Sequence, residues 1–198
     1  MPIAPELRTA AIVPRWSIVW TLNKDYVSTH SFFVAIYSLD IATMLGTSDH
    51  EDTLLYMALT HDLDETITGD IVSPVKKAIV DKDKSDAYVK KLMQERLLGV
   101  VNNLERLRSK CSPLTLERFK AIVKIADQLD SLLFLVTEAR MGNGVVSPLI
   151  EVIRKDLEKA WLNLHTVGFD STKLKILWEH DITRIINTHK SFGGYGVL

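Results

Sequence analysis

The apolar residues of this chain recur every three to four positions over long segments, which is the period of an amphipathic α-helix. The clearest segments span residues 32–45, 53–60, 82–110, 116–140, 148–165 and 171–189. No segment sustains the alternation of a β-strand, and no repeat or low-complexity linker divides the chain. The pattern predicts an all-α fold of about six to eight helices, which forms a single domain over residues 1–198.

Two of these segments allow more specific predictions about their helices. Residues 32–45 are apolar on nearly every side, so we expect a mostly buried helix that starts near Phe32 and ends at Gly46. Residues 82–110 are charged and periodic, which predicts one solvent-facing amphipathic helix. Residues 148–190 are expected to add C-terminal helices that pack on a functional region within residues 15–130.

Composition narrows the classes of function. The 198 residues carry a formal net charge of −1, so bulk charge gives no reason to expect a nucleic-acid polymer as partner. The single cysteine, Cys111, excludes an intrachain disulfide and a cysteine zinc cage, and it fits a reducing compartment. No apolar run reaches the roughly 18 residues of a membrane helix, and no signal peptide is visible. We therefore expect a cytoplasmic protein without membrane contact.

Four ionisable residues adjoin or interrupt the apolar helical segments. His61 and Asp62 follow the segment 53–60, His30 precedes the segment 32–45, and Asp127 lies inside the apolar face of the segment 116–140. Buried ionisable groups are costly unless they are paired or bind a metal. Taken singly, His30 also fits a core or capping histidine and Asp127 a surface aspartate, but together the four predict a site for one divalent metal ion.

The ligand types leave the metal open. Imidazole and carboxylate ligands suit Mn²⁺, Co²⁺, Fe²⁺, Ni²⁺ and Zn²⁺, so the sequence predicts one divalent transition metal without distinguishing among these. Glu65 lies about one helical turn beyond Asp62, within reach of a water on that metal. A second His-Asp doublet, His180-Asp181, has no acid three residues behind it and no later helix to complete a site, so we interpret it as a solvent-facing pair.

The order His30, His61-Asp62, Asp127 resembles the H…HD…D pattern of the HD-domain metal phosphohydrolases, which have an all-α fold. The chain is most similar to one subgroup, the small 5′-deoxynucleotidases and the viral dATP triphosphohydrolases. Thr29 departs from the glutamate that many relatives have before the histidine; this position is not a ligand in the family. The resemblance covers about residues 14–140 and is carried by Arg15-Trp16-Ser17-Ile18, Val27-Ser28-Thr29-His30-Ser31, His61-Asp62 through Glu65, Thr68-Gly69-Asp70, Ser73-Pro74-Val75-Lys76 and Lys124-Ile125-Ala126-Asp127.

The resemblance implies roles for further residues. Glu65 and Asp70 correspond to the acids that act on the water and on the leaving O5′, in an order that the sequence leaves undecided. Arg15, Trp16, Ile18 and Lys76 correspond to residues that bind a deoxynucleotide. Trp16 and Ile18 would clamp the base or sugar, whereas Arg15 and Lys76 would hold phosphate oxygens. Trp16 and Ile18 equally fit an apolar contact with the core. Relatives also form dimers or larger rings, so a homo-oligomer is expected.

The implied reaction is hydrolysis at the α-phosphorus of a 2′-deoxynucleoside 5′-phosphate, which releases the deoxynucleoside. Acting on a monophosphate, the protein would be a 5′-deoxynucleotidase; acting on dATP or another triphosphate, it would release triphosphate. Two alternatives stay open: a non-catalytic HD module that binds a nucleotide as an effector, and a hydrolase of another phosphoester.

Overall fold

The computed structural model of the chain describes residues 5–47, 49–70 and 82–184, and it confirms the all-α prediction. A 3₁₀ segment, Pro5–Ala11, comes before the first helix, a second one, Gly144–Val146, leads into α7, and a π-helical turn, Leu177–Ile182, follows α8. The helices are, in chain order, α1 (Val27–Leu45), α2 (Glu51–Leu59), α3 (Glu65–Thr68), α4 (Lys82–Arg96), α5 (Leu98–Arg108), α6 (Pro113–Arg140), α7 (Ser147–Thr166) and α8 (Ser171–Ile176).

Helix α6 is the centre of the fold. The Ser112 hydroxyl caps its start by accepting the Thr115 N–H, and Pro113 occupies the first turn, where a missing N–H costs nothing. The helix packs against α1 on one side and α7 on another, while α2 packs on α1. Its fully buried side chains form much of the core: Phe119, Ile122, Ile125, Leu132 and Leu135.

Helix α1 differs from its prediction in two ways. It begins at Val27 rather than near Phe32, so His30 lies inside its first turn. The prediction of a mostly buried helix was wrong for its outer face, because Phe32, Phe33 and Ile36 are 55%, 40% and 41% exposed. The predicted end at Gly46 is confirmed: this residue adopts φ 71° and its N–H caps the helix.

The segment 82–110 forms two helices instead of one. Leu97 separates α4 from α5; it leaves the helical conformation, with φ −124° and ψ 30°, and its side chain is fully buried. The change of direction lets α5 pack on α2 with Leu107 in the interior.

None of the helices in the described parts of the chain is long and apolar enough to cross a membrane. Residues 71–81 lie outside the described residues, and with them the substrate-binding candidate Lys76. The assignment of residues 1–198 to one domain and the cytoplasmic location stay predictions.

Candidate metal centre and active site

The structure brings the four predicted metal ligands together from three parts of the fold. His30 comes from α1, His61 and Asp62 from the turn between α2 and α3, and Asp127 from α6. His30 Nε2 lies 3.2 Å from His61 Nε2, 3.6 Å from Asp62 Oδ2 and 3.3 Å from Asp127 Oδ1. His61 Nε2 is also 3.2 Å from Asp62 Oδ2. The ligand atoms of His30, His61 and Asp62 thus lie close to one another, and Asp127 Oδ1 approaches them beside His30.

In each imidazole, the protonated nitrogen is identified by the oxygen atom that lies beside it, on the side of the ring away from the centre. His30 Nδ1 is 2.6 Å from Asp130 Oδ2, and His61 Nδ1 is 2.7 Å from the Ala58 carbonyl oxygen. Each Nδ1–H donates to an oxygen, so both Nε2 atoms carry lone pairs. Two lone pairs that face each other at 3.2 Å repel, and a cation bound between them removes that repulsion.

The spacing fits a small divalent metal. Ligand atoms about 2.1 Å from a tetrahedral ion stand about 3.4 Å apart, because the distance between neighbours follows from the bond length and the tetrahedral angle. The separations among His30, His61 and Asp62 are 3.2 to 3.6 Å and bracket this value. These three residues therefore fit ligands of a mononuclear metal ion, and Asp127 offers a further carboxylate oxygen 3.3 Å from His30 Nε2.

The two carboxylates are in the charged form that a metal ligand needs. Burial raises the pKa of the Asp127 carboxyl, but the adjacent His30 imidazole and the charge of Lys124 outweigh burial and hold the pKa well below its usual range. Burial likewise raises the pKa of Asp62, and the adjacent His61 imidazole lowers it further than burial raises it. Lys124 Nζ and Gln128 Nε2 donate to Asp127 Oδ2 at 2.7 and 3.0 Å, which leaves Oδ1 aimed at the centre.

Asp130 belongs to the site although sequence reasoning did not select it. It lies one turn after Asp127 on α6 and is 7% exposed. Its carboxylate accepts the His30 Nδ1–H, the arrangement in which a second carboxylate orients a metal-binding histidine and raises its basicity. The sequence signal was present: two acids one turn apart within an apolar helix face.

Asp130→Asn is expected to raise the dissociation constant of the metal about 10- to 100-fold, because losing a carboxylate behind a histidine ligand usually weakens binding by that factor. Competition with a fluorescent chelator measures the constant. Asp40→Asn, on an exposed position of the neighbouring helix α1, is the matched control and leaves the constant unchanged. Equal metal affinity in Asp130→Asn and the wild type would remove Asp130 from the site.

The two predicted catalytic acids occupy different surroundings. Glu65 is the first residue of α3 and is only 4% exposed, and its backbone N–H donates to the Asp62 carbonyl oxygen, so it lies one turn beyond a metal ligand. Asp70 is partly exposed, and its Oδ2 accepts the backbone N–H of Trp16 at 3.0 Å. Their catalytic roles stay predictions.

Residues 13–27 form a loop that is closed at its neck. Pro14 and Tyr26 make an isolated antiparallel bridge, and the Arg15 N–H donates to the Asp25 carbonyl oxygen at 2.9 Å. Trp16 adopts φ 59°, a conformation that costs a bulky residue energy, and the bond from its N–H to Asp70 stabilises it there.

The predicted substrate-binding residues of this loop differ in their contacts and in their exposure to solvent. The Arg15 guanidinium pairs with Asp25 at 2.9 Å and donates to the Ser131 hydroxyl, so it is already engaged on the Asp130 side of His30. The Trp16 ring stacks on Phe134 with centroids 6.0 Å apart, and its buried Nε1 has no hydrogen-bond partner among the described residues. Ile18 is 72% exposed. Trp16 therefore contacts the core on one side, whereas Ile18 does not.

Glu138 fixes the far end of this loop and was also missed from the sequence. The fully buried carboxylate accepts the backbone N–H groups of Leu22 and Asn23 at 2.6 and 2.8 Å, and the side-chain amides of Asn23 and Asn143, both at 2.9 Å. Burial raises the pKa of Glu138, but these four bonds outweigh burial and lower it.

Glu138→Gln is expected to lower the free energy of unfolding at pH 7 by about 2 kcal/mol, because an amide cannot accept all four bonds. Folding lowers the pKa of this carboxyl, so its contribution to the free energy of unfolding is fully present when the pH is above the ordinary pKa of 4.5. That contribution is lost as the pH falls through the folded-state pKa. Urea unfolding at pH 7 and below pH 4 measures this. The difference between variant and wild type shrinks at the lower pH; a constant difference would contradict the assignment.

The side chains of the second doublet, His180 and Asp181, lie outside the described residues, so its interpretation as a surface pair stays a prediction.

Comparison with known proteins agrees with this geometry. The sequence model described as 5′-deoxynucleotidase YfbR-like matches residues 6–170, a range that holds all four candidate ligands. The 5′-deoxynucleotidase YfbR of Shigella flexneri is 28% identical over 148 residues, which is 70% of this chain and 73% of that protein.

Solved structures show the same fold. The HD phosphohydrolase DatZ of cyanophage S-2L, solved bound to dA and one catalytic Zn²⁺ ion, superposes with a TM-score of 0.64 at 21% identity, over 96% of this chain and 98% of that one. A protein of Pyrococcus horikoshii superposes with a TM-score of 0.58 at 28% identity, over 82% of this chain and 95% of that one.

Proposed function

The chain belongs to the YfbR-like 5′-deoxynucleotidase family, and we propose that its four-ligand site hydrolyses 2′-deoxynucleoside 5′-phosphates at the α-phosphorus. The protein is a metal-dependent phosphohydrolase of the HD-domain class and its substrate is a deoxynucleotide. The observation that carries the proposal is the convergence of His30, His61 and Asp62 at 3.2 to 3.6 Å from one another, with Asp127 Oδ1 3.3 Å from His30 Nε2.

The chain's own residues divide the reaction between them. His30, His61, Asp62 and Asp127 would hold a divalent ion, which when bound would supply Lewis acidity towards a phosphoryl oxygen and a water. Glu65, buried one turn beyond Asp62, accepts a proton from the attacking water. The P–O5′ bond breaks opposite the incoming oxygen, and O5′ leaves with a proton. The products are a deoxynucleoside and the phosphate group.

Asp70 is the acid best placed for the leaving O5′. Its carboxylate is bonded to the backbone of Trp16, so it lies beside the loop that would hold the nucleoside. The Trp16 Nε1–H has no partner in the described part of the chain and is a donor for a sugar or base oxygen, and Ile18, two residues further on, presents an exposed apolar side chain. The Arg15 guanidinium, which is paired with Asp25, orients the loop and Asp130; its contact with a phosphate oxygen stays a prediction.

Product analysis tests the proposal. The protein, loaded in turn with Mn²⁺, Co²⁺, Fe²⁺, Ni²⁺ and Zn²⁺, is offered dAMP, dTMP, dGMP and the ribonucleotide AMP, and the products are separated by ion-pair chromatography. Deoxynucleoside plus phosphate is expected, with AMP cleaved more slowly, and the most active metal is the candidate cofactor. Nucleotide binding without any deoxynucleoside release would overturn hydrolysis in favour of a non-catalytic HD module.

The apolar outer face of α1 supports a homo-oligomer. Phe32 and Phe33 pack edge to face with centroids 5.4 Å apart, Ile36 lies on the same exposed surface, and contiguous apolar surface of this kind marks contact sites. We expect sedimentation velocity to give a dimer or larger assembly, and Phe32→Lys to shift it towards monomer. Lys155→Ala, on α7, is the control. A monomeric wild type at micromolar concentration would contradict the expectation.

A further inference from the structure

A row of charged side chains runs from the loop at residues 13–27 to the candidate metal centre. The Arg15 guanidinium donates from Nη1 to Asp25 Oδ2 at 2.9 Å. The same Nη1 atom lies 3.8 Å from Asp130 Oδ2, and this oxygen accepts the His30 Nδ1–H at 2.6 Å. Asp25 and Asp130 are each 7% exposed, and His30 is fully buried. Because little water reaches these charges, the interactions among them are only weakly screened.

Arg15 and His30 compete for one oxygen atom, Asp130 Oδ2. A separation of 3.8 Å is too long for a hydrogen bond, so Arg15 attracts this oxygen without binding it. A guanidinium and a carboxylate that meet directly form short, charge-assisted hydrogen bonds. If Arg15 bound Asp130 in this way, the carboxylate would turn towards the loop, and His30 would lose the group that orients its ring and raises its basicity.

Asp25 holds the Arg15 guanidinium on the loop side. The backbone fixes these two residues opposite each other, because the Arg15 N–H donates to the Asp25 carbonyl oxygen at 2.9 Å beside the bridge between Pro14 and Tyr26. The second contact of the guanidinium is neutral: Nη2 donates to the Ser131 hydroxyl at 3.0 Å. The full charge of the guanidinium is therefore paired with Asp25, and this pairing depends on a single carboxylate.

We propose that Asp25 is a positioning residue for the metal centre, which acts by keeping the Arg15 guanidinium away from Asp130. The Asp130 carboxylate then stays available to accept the His30 Nδ1–H. In the described part of the chain, Asp25 makes no hydrogen bond or ion pair with a candidate ligand, so its effect passes through Arg15 and Asp130. The inference rests on the proposed function, because it takes His30 as a metal ligand, but its test measures metal affinity, which is independent of turnover.

Metal dissociation constants, measured on each variant by competition with a fluorescent chelator, test this role. We expect Asp25→Asn to raise the constant about ten-fold, because the freed guanidinium then draws Asp130 away from His30. Arg15→Gln alone leaves the constant unchanged, since glutamine carries no charge that competes for Asp130. The double variant Arg15→Gln/Asp25→Asn restores the wild-type constant for the same reason. The matched control is Asp40→Asn, the same substitution at an exposed position of α1, which changes nothing.

Rescue by the second substitution distinguishes positioning from a purely structural role. If Asp25 only closes the neck of the loop, removal of Arg15 breaks the same pair from its other end and restores nothing. A double variant that binds metal as weakly as Asp25→Asn would therefore overturn the proposal, and so would an Asp25→Asn protein with the wild-type constant.

Ser131→Ala keeps the test valid if Asp25→Asn does not fold. This substitution removes one oxygen atom and with it the other contact that holds the Arg15 guanidinium away from Asp130. We expect it to raise the metal dissociation constant, and Arg15→Gln to restore the constant in the double variant. An unchanged constant in Ser131→Ala, with Asp25→Asn unfolded, would overturn the proposal.

Turnover of dAMP separates this inference from the proposed function. Deoxyadenosine release by the wild type, together with equal metal affinity in all variants, overturns the role of Asp25 and leaves the proposed function intact. Metal binding that follows the expected loss and rescue, but without deoxynucleoside release, supports the role of Asp25 and overturns hydrolysis. A wild-type protein that binds none of the five metals overturns both.

Discussion

His61→Ala is expected to lower the turnover of deoxynucleotide by at least about 1,000-fold and to remove the metal, while the protein stays folded. The metal contributes several kcal/mol to the stabilisation of transition-state charge, and about 4 kcal/mol corresponds to three orders of magnitude in rate. His61 Nε2 lies 3.2 Å from both His30 Nε2 and Asp62 Oδ2, so alanine opens one whole side of the centre.

Three measurements on the same sample make this result specific. Metal content by mass spectrometry falls, turnover falls, and circular dichroism keeps its helical signal, because His61 lies at the edge of the core and is partly exposed. His165→Ala, which removes an exposed histidine at the end of α7, is the control and keeps both metal and activity. A His61→Ala protein with unchanged metal content and more than a tenth of the wild-type rate would contradict the assignment.

The sequence contained enough to predict the fold class and the four residues that converge. The apolar period predicted helices, and ionisable residues against those helices had to meet a charge. His30, His61, Asp62 and Asp127 are far apart in sequence, but each adjoins or interrupts an apolar segment, and such segments pack together in one core.

The ends of the helices and their exposed faces could not be predicted from the hydrophobic pattern. The start of α1 at Val27 has no side-chain cap to reveal it, since Tyr26 occupies the cap position without a hydrogen bond. The break at Leu97 is invisible in the period because a buried leucine fits either one continuous helix or two. Phe32 and Ile36 are as apolar as core residues, so composition alone could not place them on the outside.

The residues that support the site were harder to find than the ligands. Asp130 and Glu138 lie on the same helix as Asp127, and their spacing does not show which of them faces His30 and which faces the loop at Leu22 and Asn23. Arg108 was overlooked because it lies within a charged, periodic segment in which an arginine usually points to solvent. Only tertiary packing turns its Nε inward, beside Asp62 and Asp127.

Glu65→Gln is expected to lower kcat by about 100- to 10,000-fold while the metal content stays at the wild-type level. Glu65 is 4% exposed and one turn beyond Asp62, and glutamine has nearly the same size but cannot take a proton at neutral pH. The variant therefore separates acid–base chemistry from metal binding. The matched control is Glu105→Gln, on an exposed position of α5, with unchanged kcat.

The pH dependence distinguishes the base from a structural carboxylate. If Glu65 takes the proton of the attacking water, the acidic limb of the wild-type kcat profile disappears in Glu65→Gln, and KM changes little because the four ligands are intact. If Glu65 only supports the turn that holds Asp62, metal affinity falls along with kcat and the acidic limb remains. A loss of metal together with an unchanged pH profile of kcat would thus show that Glu65 has a structural role and is not the base. Asp70, whose carboxylate accepts the Trp16 backbone N–H at 3.0 Å, would then be the next acid to test.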